Sequence, residues 1–327
     1  MKHSLTVGCF VGSLLLLLVV FCSLLFGPVN TPINALFDSQ HGFYDIIWQV
    51  RWPRVMNAIL VGSCLSLAGL LIQNMVKNPL ADPYLLGVSG GAATVQLFFI
   101  LTASSLSANL QVLAGFAGGF AAAMLLLKLS YYGQIRTSKL TLNGVVLAFG
   151  FAAVISMMLA LAPPDQMKSM MFWLMGDLSF VQSQWWHFAV VLLAVMVLFR
   201  QHRPLDILAR GELFAVKSGV NAVALNLLVF TITALLTSIA VAQAGTIGFV
   251  GLVVPHLMRL LVGNRHYMLI PLSVLAGAIF LLAADTLSRT VMSPIQLPVG
   301  IFTALIGVPV FLWLNSKTPC YKLEILI

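Results

Sequence analysis

The residues able to do chemistry are few in this chain, and the most conspicuous are two arginines. Arg51 and Arg54 enclose Trp52 and Pro53 in the stretch RWPRVMNAIL, and no further charge follows until Lys77. A guanidinium is a rigid planar donor that pairs bidentately with a carboxylate, so this pair has the chemistry of a carboxylate receptor. Pairing with phospholipid headgroups is the alternative. Proline in the first turn of a helix would fix how the chain enters that helix.

Other catalytic and metal-binding patterns are scarce. The sequence has no G-x-x-x-x-G-K-[ST], and therefore no P-loop for nucleotide hydrolysis, and it has no H-E-x-x-H. The six histidines are scattered, and we expect His256, in an apolar run, to be a packed residue. The four cysteines form no C-x-x-C pair. These patterns predict a chain that is not an enzyme and that holds no metal or other cofactor.

The composition places most of the chain in lipid. Hydrophobic residues make up 60% of the 327 residues and charged residues only 8%, against about 25% charged in soluble domains. A spanning helix needs roughly 20 apolar residues, and lipid excludes open strands because their backbone groups would be unpaired. The run at 5–26 is too long for a usual signal peptide and lacks an A-x-A site, so it predicts an uncleaved span. The sequence predicts an all-α polytopic membrane protein with a single transmembrane domain over 1–327.

Charge-free windows predict about ten transmembrane helices. They lie at 5–26, 55–76, two within 83–127 with a break at 102–111, 140–161, about 184–199, two within 218–258 with a break near 242–248, 267–287 and 297–315. Ten spans put both termini on one side of the membrane. With that side cytoplasmic, 13 of the 17 basic residues face inward and only Arg51, Arg54, Lys168 and Arg289 face outward. The net charge of +8 is then a topology signal, and we expect no nucleic-acid partner.

Three interruptions stand out between the predicted spans. The loop at 200–222 reads as a short amphipathic helix ended by Gly219, and it is either an ordinary interfacial helix or a docking element for a cytoplasmic partner. Residues 76–92 contain two turn dipeptides, Asn-Pro and Asp-Pro, and then a glycine-rich helix start. Glycines and a proline in 244–260 predict a broken element, which membranes tolerate when it is packed in protein or lines a cavity.

Acidic residues are nearly absent from the predicted spans. Asp285 alone lies clearly inside one, near its outer end. Ion-coupled transporters usually need carboxylates near the middle of the membrane. If the chain is a transporter, its energy therefore comes from another subunit.

Long stretches of the chain closely resemble the FecCD/BtuC-type permeases. The likeness is carried by RWPRVMNAILVGSCLSLAGLLIQNMVKNPLADPYLLGVSGGA, by GTIGFVGLVVPHLMRLLVGNRH and by LAADTLSR followed by LPVGIFTALIGVPVFLWL, and it runs almost end to end. These permeases are the membrane subunits of type II ABC importers. The resemblance implies a homodimer or a pair of related permeases, two cytoplasmic ATPase subunits that bind ATP and Mg, and an extracytoplasmic binding protein. It implies a bulky metal chelate as cargo, with ferric siderophore or haem first and cobalamin as the alternative.

The resemblance also implies roles for particular residues. Arginines at span ends receive acidic residues of the binding protein, and the matching residues here are Arg51, Arg54 and Arg289. The loop at 200–222 matches the coupling helices that dock into the ATPase, through Arg203, Leu205, Asp206, Leu208, Glu212, Phe214 and Gly219. The inner gate positions match Asn78, Pro79, Leu80, Arg136 and Thr137. Ser218 stands where the family has leucine, and Arg136 where it often has a small hydroxyl residue.

The mechanism implied is alternating access, in which ATP binding moves the coupling helices and the helices move the gate. Methionines near the fifth span are candidates for a weakly interacting lining, although packing in lipid or core is the ordinary alternative. They are Met157, Met158, Met167, Met170, Met171 and Met175. A stand-alone secondary transporter and a membrane enzyme are the rival classes. ATP-dependent uptake with a copurifying ATPase separates them.

Overall fold

The computed structural model describes residues 2–29, 31–102, 107–179 and 185–317 of the chain. Within these residues the fold is all-helical, with no β-strand beyond an isolated bridge between Tyr131 and Ile135. The α-helices are α1 Lys2–Leu25, α2 Trp52–Val76, α3 Val88–Leu101, α4 Ala108–Ser130, α5 Thr137–Leu161, α6 Pro164–Leu174, α7 Trp185–Arg200, α8 His202–Ala209, α9 Glu212–Lys217, α10 Ala222–Ala244, α11 Val250–Val262, α12 His266–Thr290 and α13 Val299–Lys317. Short 3-10 helices cover Ile33–Leu36 and Pro83–Leu86, and a π-helix covers Ile46–Arg51.

Each of the ten predicted spans coincides with one of these helices. Six described helices are long and apolar enough to cross a bilayer alone, namely α1, α2, α4, α5, α10 and α12. The remaining four are shorter: α3, α11 and α13, and α7, which meets α8 at a bend of 67°. Part of the predicted break at 102–111 lies outside the described residues. The sequence did not predict α6, because the polar residues in its first half hide the helical spacing of its apolar residues.

Helix α2 is the centre of the bundle. It packs most extensively against α12 and α10, and nearly all of its apolar stretch is buried inside the protein. Glycines allow this closeness: a Cβ on Gly62 would collide with the backbone of Gly277 in α12, and a Cβ on Gly69 would collide with that of Gly251 in α11. Small residues let helix backbones approach in lipid, where packing and not the hydrophobic effect drives association.

The chain breaks between α10 and α11, as the glycines predicted. Gly245 ends α10 with φ 69°, and Phe249 begins α11 with φ 71°. Tyr84 fixes the break, since its hydroxyl accepts from the Ile247 N–H at 2.8 Å and donates to the Ile247 carbonyl at 3.0 Å. These bonds replace the helical bonds that the irregular segment lacks. The broken element is therefore packed in protein, which is the condition for such backbone in a membrane.

Two of the long helices lie at the periphery. Helix α1 packs mainly along α12 and α5 along α3 and α4. In its most apolar window α1 has no residue buried within the chain, and α5 has only 6%. The exposed side chains of α5 include Leu142, Val146 and Phe149. Apolar faces of this kind belong against lipid tails or a second subunit.

Candidate docking, gating and coupling sites

The three predicted docking arginines lie together at one end of the bundle. Arg51 ends the π-helix, Arg54 is in the first turn of α2, and Arg289 is in the last turn of α12. The α2–α12 contact brings Arg54 to Asp285, which lies one helical turn before Arg289. We call Arg51, Arg54, Asp285 and Arg289 the arginine cluster.

Asp285 is the hub of the arginine cluster. Its carboxylate is fully buried and accepts from Arg54 Nε at 2.9 Å and from Arg54 Nη2 at 2.9 Å. Arg289 Nε reaches the other carboxylate oxygen at 3.0 Å. A buried carboxylate needs such partners, because leaving it unpaired in a low-dielectric setting is costly. Asp285 therefore joins α2 to α12 at this end.

Arg51 is held by backbone instead of by a carboxylate. Its Nη1 donates to the carbonyls of Leu24 at 2.6 Å and Leu25 at 2.9 Å, and to Thr31 Oγ1 at 3.1 Å, while Nη2 donates to the Val29 carbonyl. The carbonyls at the end of α1 lack helical partners and carry partial negative charge. Arg51 therefore caps α1 and ties it to α2.

The arginine cluster opens onto a cavity of about 480 Å³. The cluster holds three guanidinium groups and one carboxylate, which only Arg54 and Arg289 contact, so its net charge is two positive charges. Gln296 and Ser179 also line the cavity and accept from Arg54 Nη1, at 3.0 Å and 2.5 Å. The cavity has the electrostatics of a receptor for negatively charged groups.

The arginines differ from the expectation in their burial and in their hydrogen bonds. Open guanidinium forks suited to an incoming carboxylate were expected, yet all three side chains are buried, with Arg289 only 3% exposed, and each already donates within the chain. Sequence reasoning noticed Asp285 but missed its role. The i, i+4 spacing of Asp285 and Arg289 was a visible signal, whereas the contact with Arg54 spans 231 positions. Their docking role stays a prediction.

The predicted coupling segment lies at the opposite end of α12. It forms two helices, α8 and α9, where one was expected, because Gly211 adopts φ 130° between them. Gly219, with φ 77°, ends α9 as predicted. Leu205 and Leu208 are buried against the bundle. The segment is therefore a bent, anchored hairpin.

Two acidic residues anchor the segment. Asp206 Oδ1 accepts from the backbone N–H of His266 at 2.8 Å and lies 2.7 Å from its Nδ1, so α8 caps the start of α12. Burial raises the pKa of Asp206, but the hydrogen bonds and charge of His266 outweigh it and leave that pKa lowered. Glu212 accepts from Asn226 in α10 at 2.9 Å. These carboxylates point into the bundle and hold α8 and α9 in place.

The outer face of α9 is apolar and uncovered. Leu213 is 81% exposed, and Phe214 and Val216 are exposed beside it. Arg203, in α8, is exposed as well. An exposed apolar patch on a short helix outside the spans marks a surface for a partner. Of the predicted coupling residues, Phe214 and Arg203 have this exposure, and the sequence reasoning did not single out Leu213 or Val216 for contact.

The predicted gate residues occupy two separate turns. Asn78 Oδ1 accepts from the Leu80 N–H at 2.9 Å, and the turn it forms follows the left-handed end of α2 at Lys77. Arg136 and Thr137 begin α5. Within the described residues no hydrogen bond or ion pair joins the two turns. A single chain therefore does not bring the predicted gate residues into direct polar contact.

The methionines near α5 do not form one lining. Met170 is fully buried in the core formed with α3 and α10, whereas Met157, Met167, Met171 and Met175 are exposed. Met158 is half-buried against the same core, so the four exposed methionines are the most available to face cargo or lipid.

The sequence also contains a serine motif at the start of α3. GVSGG at 87–91 fits the spacing G-x-S-x-G of a nucleophile elbow. That motif acts only at a strand-to-helix turn with a histidine in reach. Ser89 instead follows the 3-10 helix Pro83–Leu86 and begins α3, and the described residues place no histidine in hydrogen bond with it. The glycines serve packing, since a Cβ on Gly91 would press on Ala122 and Gly118 of α4.

A bundle of ten apolar helices with a broken inner element, a charged rim and a hairpin outside the spans defines a membrane permease. Comparison with known proteins gives the family. The FecCD transport family matches residues 15–317, and the chain belongs to that family. It is the membrane subunit of an ABC importer and not its catalytic subunit, because the ATPase is separate.

Several relatives of known designation match nearly the whole chain. The Fe(3+) dicitrate transport system permease protein FecD of Escherichia coli is 37% identical over 89% of this chain and 92% of its own. The hemin transport system permease protein HmuU of Yersinia pestis is 36% identical over 93% and 94%. The vitamin B12 import system permease protein BtuC of Photorhabdus laumondii is 35% identical over 92% and 90%.

A solved structure shares the fold. It is described as an inward-facing conformation of a metal-chelate type ABC transporter, and it superposes with a TM-score of 0.82 at 31% identity. The match covers 95% of this chain and 98% of that chain. The predicted all-α, ten-span permease fold is confirmed.

Proposed function

We propose that this chain moves a ferric siderophore or haem inward across the cytoplasmic membrane, driven by a separate ATPase that binds ATP and Mg. The observation that carries the proposal is the pairing of two different surfaces at the two ends of α12. One end has the arginine cluster with its excess positive charge, and the other has the uncovered apolar face of α9. In the proposed scheme the binding protein docks at the first end and the ATPase docks at the second.

The arginine cluster is the proposed contact for a periplasmic binding protein. Acidic side chains of that protein enter the 480 Å³ cavity and compensate the two excess positive charges. Long-range attraction between a basic rim and an acidic partner speeds association. Because the arginines already hold α1, α2 and α12 together, an arriving carboxylate competes with Asp285 and carbonyl groups. Docking then changes how the three helices are held.

The uncovered face of α9 is the proposed contact for the ATPase. Motion of that subunit passes to α8, and Asp206 transmits it to α12 at His266. The gate turns at 78–80 and 136–137 face their counterparts in a second permease copy, because neither turn closes on the other within one chain. We propose a homodimer, with a related permease as the alternative, and two ATPase subunits.

The orientation belongs to the same proposal. The excess of basic residues on the α8 side supports an orientation with α8, α9 and both termini in the cytoplasm and the arginine cluster outside. The chain itself needs no cofactor in this scheme and has no nucleic-acid partner. Lipid surrounds the apolar faces of α1 and α5.

Reconstituted transport tests the proposed function. Proteoliposomes holding this chain with its ATPase and binding protein are loaded with ATP and offered labelled ferric chelate, haem or cobalamin. We expect ATP-dependent accumulation of an iron chelate or haem. Accumulation of cobalamin alone identifies the alternative cargo, for which the similarity to BtuC speaks. Uptake by this chain alone without ATP contradicts the proposal and supports a secondary transporter.

A further inference from the structure

A second polar cavity, of about 530 Å³, lies at the α8 end of the bundle. It is formed where the end of α2, the end of α8 and the link between α11 and α12 meet. Basic side chains line it from each of these segments, namely Lys77, Arg210, Arg259 and Arg265. We call this the basic cavity. It is separate from the arginine cluster, which lies at the other end of α12.

The basic cavity has one acidic lining residue, Asp206, and it is paired with His266, which also lines the cavity. Asp206 directs its carboxylate to the backbone and ring of His266. Within the part of the chain that the structure describes, no carboxylate lies in ion-pair distance of Lys77, Arg210 or Arg259. The cationic groups of Lys77, Arg210 and Arg259 are therefore not paired with a carboxylate of the described residues.

Arg259 is held in place by neutral groups. It donates to Gln73 Oε1, and the Gln73 amide is itself fixed by donating to the carbonyls of Gly251 and Leu252, each at 3.2 Å. Gln73 thus orients the guanidinium without neutralising it. A preorganised, charged donor of this kind suits an oxyanion.

Two further lining side chains have buried polar atoms with nothing to bond. Asn74 is 8% exposed and His266 is 3% exposed. Asn74 Nδ2 and His266 Nε2 have no hydrogen-bond partner among the described residues. Native proteins rarely leave buried donors unpaired, so each such group calls for an explanation such as an absent ligand. Asn74 Nδ2 is a donor that faces the cavity without a partner.

We propose that the basic cavity binds a phosphate-type anion, either an anionic phospholipid headgroup or inorganic phosphate. The cavity offers donors and positive charge from three segments, and a tetrahedral phosphate has enough acceptor oxygens to meet them together. The cavity also lies at the ends of spanning helices, where basic groups meet the headgroups of the inner leaflet. This proposal does not depend on which cargo the permease carries.

Binding is tested on the purified full chain in phosphate-free detergent. Calorimetric titration with inorganic phosphate, and native mass spectrometry after exposure to phosphatidylglycerol or phosphatidylcholine, distinguish the two sources. We expect saturable binding of phosphate, of phosphatidylglycerol in preference to phosphatidylcholine, or of both. The double variant Lys77→Gln/Arg210→Gln should weaken binding at least about tenfold, since hydrogen bonds to charged groups are the stronger ones.

The matched control is Lys128→Gln/Lys139→Gln, which removes two exposed or half-exposed basic groups outside the cavity. It should retain wild-type binding. A third variant, Asn74→Leu, should lose the ligand-induced rise in melting temperature without a lower melting temperature in the absence of ligand, because it removes an unpaired donor. A purely structural asparagine would instead give a lower melting temperature.

Three results would overturn the proposal. The first is that the wild type binds neither ligand, and the second is that the control loses as much binding as the cavity variant. The third is that the backbone at Asn74 and Lys77 is protected from hydrogen exchange only when the ATPase subunit is added, and not by either ligand. The last result would assign the cavity to an acidic side chain of that subunit. Each readout is independent of uptake, so failure here leaves the proposed transport function intact.

Discussion

Asp285 links two helices and two arginines through one buried carboxylate. Replacing Asp285 by asparagine leaves the guanidinium groups of Arg54 and Arg289 buried without a counter-charge. Breaking a buried pair in this way costs about 3–5 kcal/mol. We expect Asp285→Asn to lower the melting temperature in detergent clearly, whereas Asp165→Asn, at an exposed carboxylate in α6, should leave it unchanged. Equal melting of Asp285→Asn and wild type would show that the pair carries no stability.

Gln296 allows the charge of the arginine cluster to be changed without breaking it. Gln296→Glu keeps the acceptor that Arg54 uses at 3.0 Å and adds one negative charge to the cavity. If acidic residues of the binding protein enter this cavity, the variant should raise the dissociation constant several-fold while the melting temperature stays or rises. Gln40→Glu, on the exposed turn before the π-helix, is the matched control. Unchanged affinity in Gln296→Glu would count against docking at the cluster.

Helix α2 depends on glycine where it meets α11. A methyl group at residue 69 would strike the backbone of Gly251, and backbone cannot move aside as a side chain can. We therefore expect Gly69→Ala to reduce the folded yield and the melting temperature. Gly150→Ala is the matched change in α5, where an added Cβ meets nothing within 4 Å, and it should be neutral or slightly stabilising. Equal behaviour of the two variants would mean that α2 and α11 lie farther apart.

Helix α9 presents an uncovered apolar face, which is the proposed contact for the ATPase. Leu213→Ser/Val216→Ser removes the two most exposed apolar side chains of that face but no intramolecular anchor, since Asp206 and Glu212 hold the segment. We expect normal melting and a clear loss of ATPase copurification. Leu261→Ser, at another exposed leucine near the end of α11, should keep the ATPase bound. Full copurification of the double variant would place the ATPase contact elsewhere.

The whole chain has a proposed orientation that labelling can check. In a background without native cysteines, Gln40→Cys should react with a membrane-impermeant maleimide added outside intact cells. Ser218→Cys should react only after the cells are opened. Both positions are exposed and lie at opposite ends of the bundle. The reverse pattern would invert the topology and with it the roles of both ends.

At the scale of the whole molecule, the helical spans and the broken element could be predicted from the sequence. Charge-free windows of about 20 residues can only be helices in lipid, so ten spans and the glycine-marked break at 245–249 were accessible. The orientation of side chains was not. Whether Asp206 and Glu212 point outward to a partner or inward to α12 and α10 depends on tertiary packing, and the burial of Arg51 depends on carbonyls more than 20 positions away.

Helix α12 is held by a carboxylate at each end. Asp206 of α8 bonds its first residue, His266, and Asp285 near its last turn pairs with Arg54 of α2. At a rise of about 1.5 Å per residue its 25 residues extend roughly 37 Å. A helix of this length connects the two ends of the bundle directly, without intermediate elements. A displacement of α8 at Asp206 would therefore act on the same helix that carries Asp285 and Arg289 near its other end.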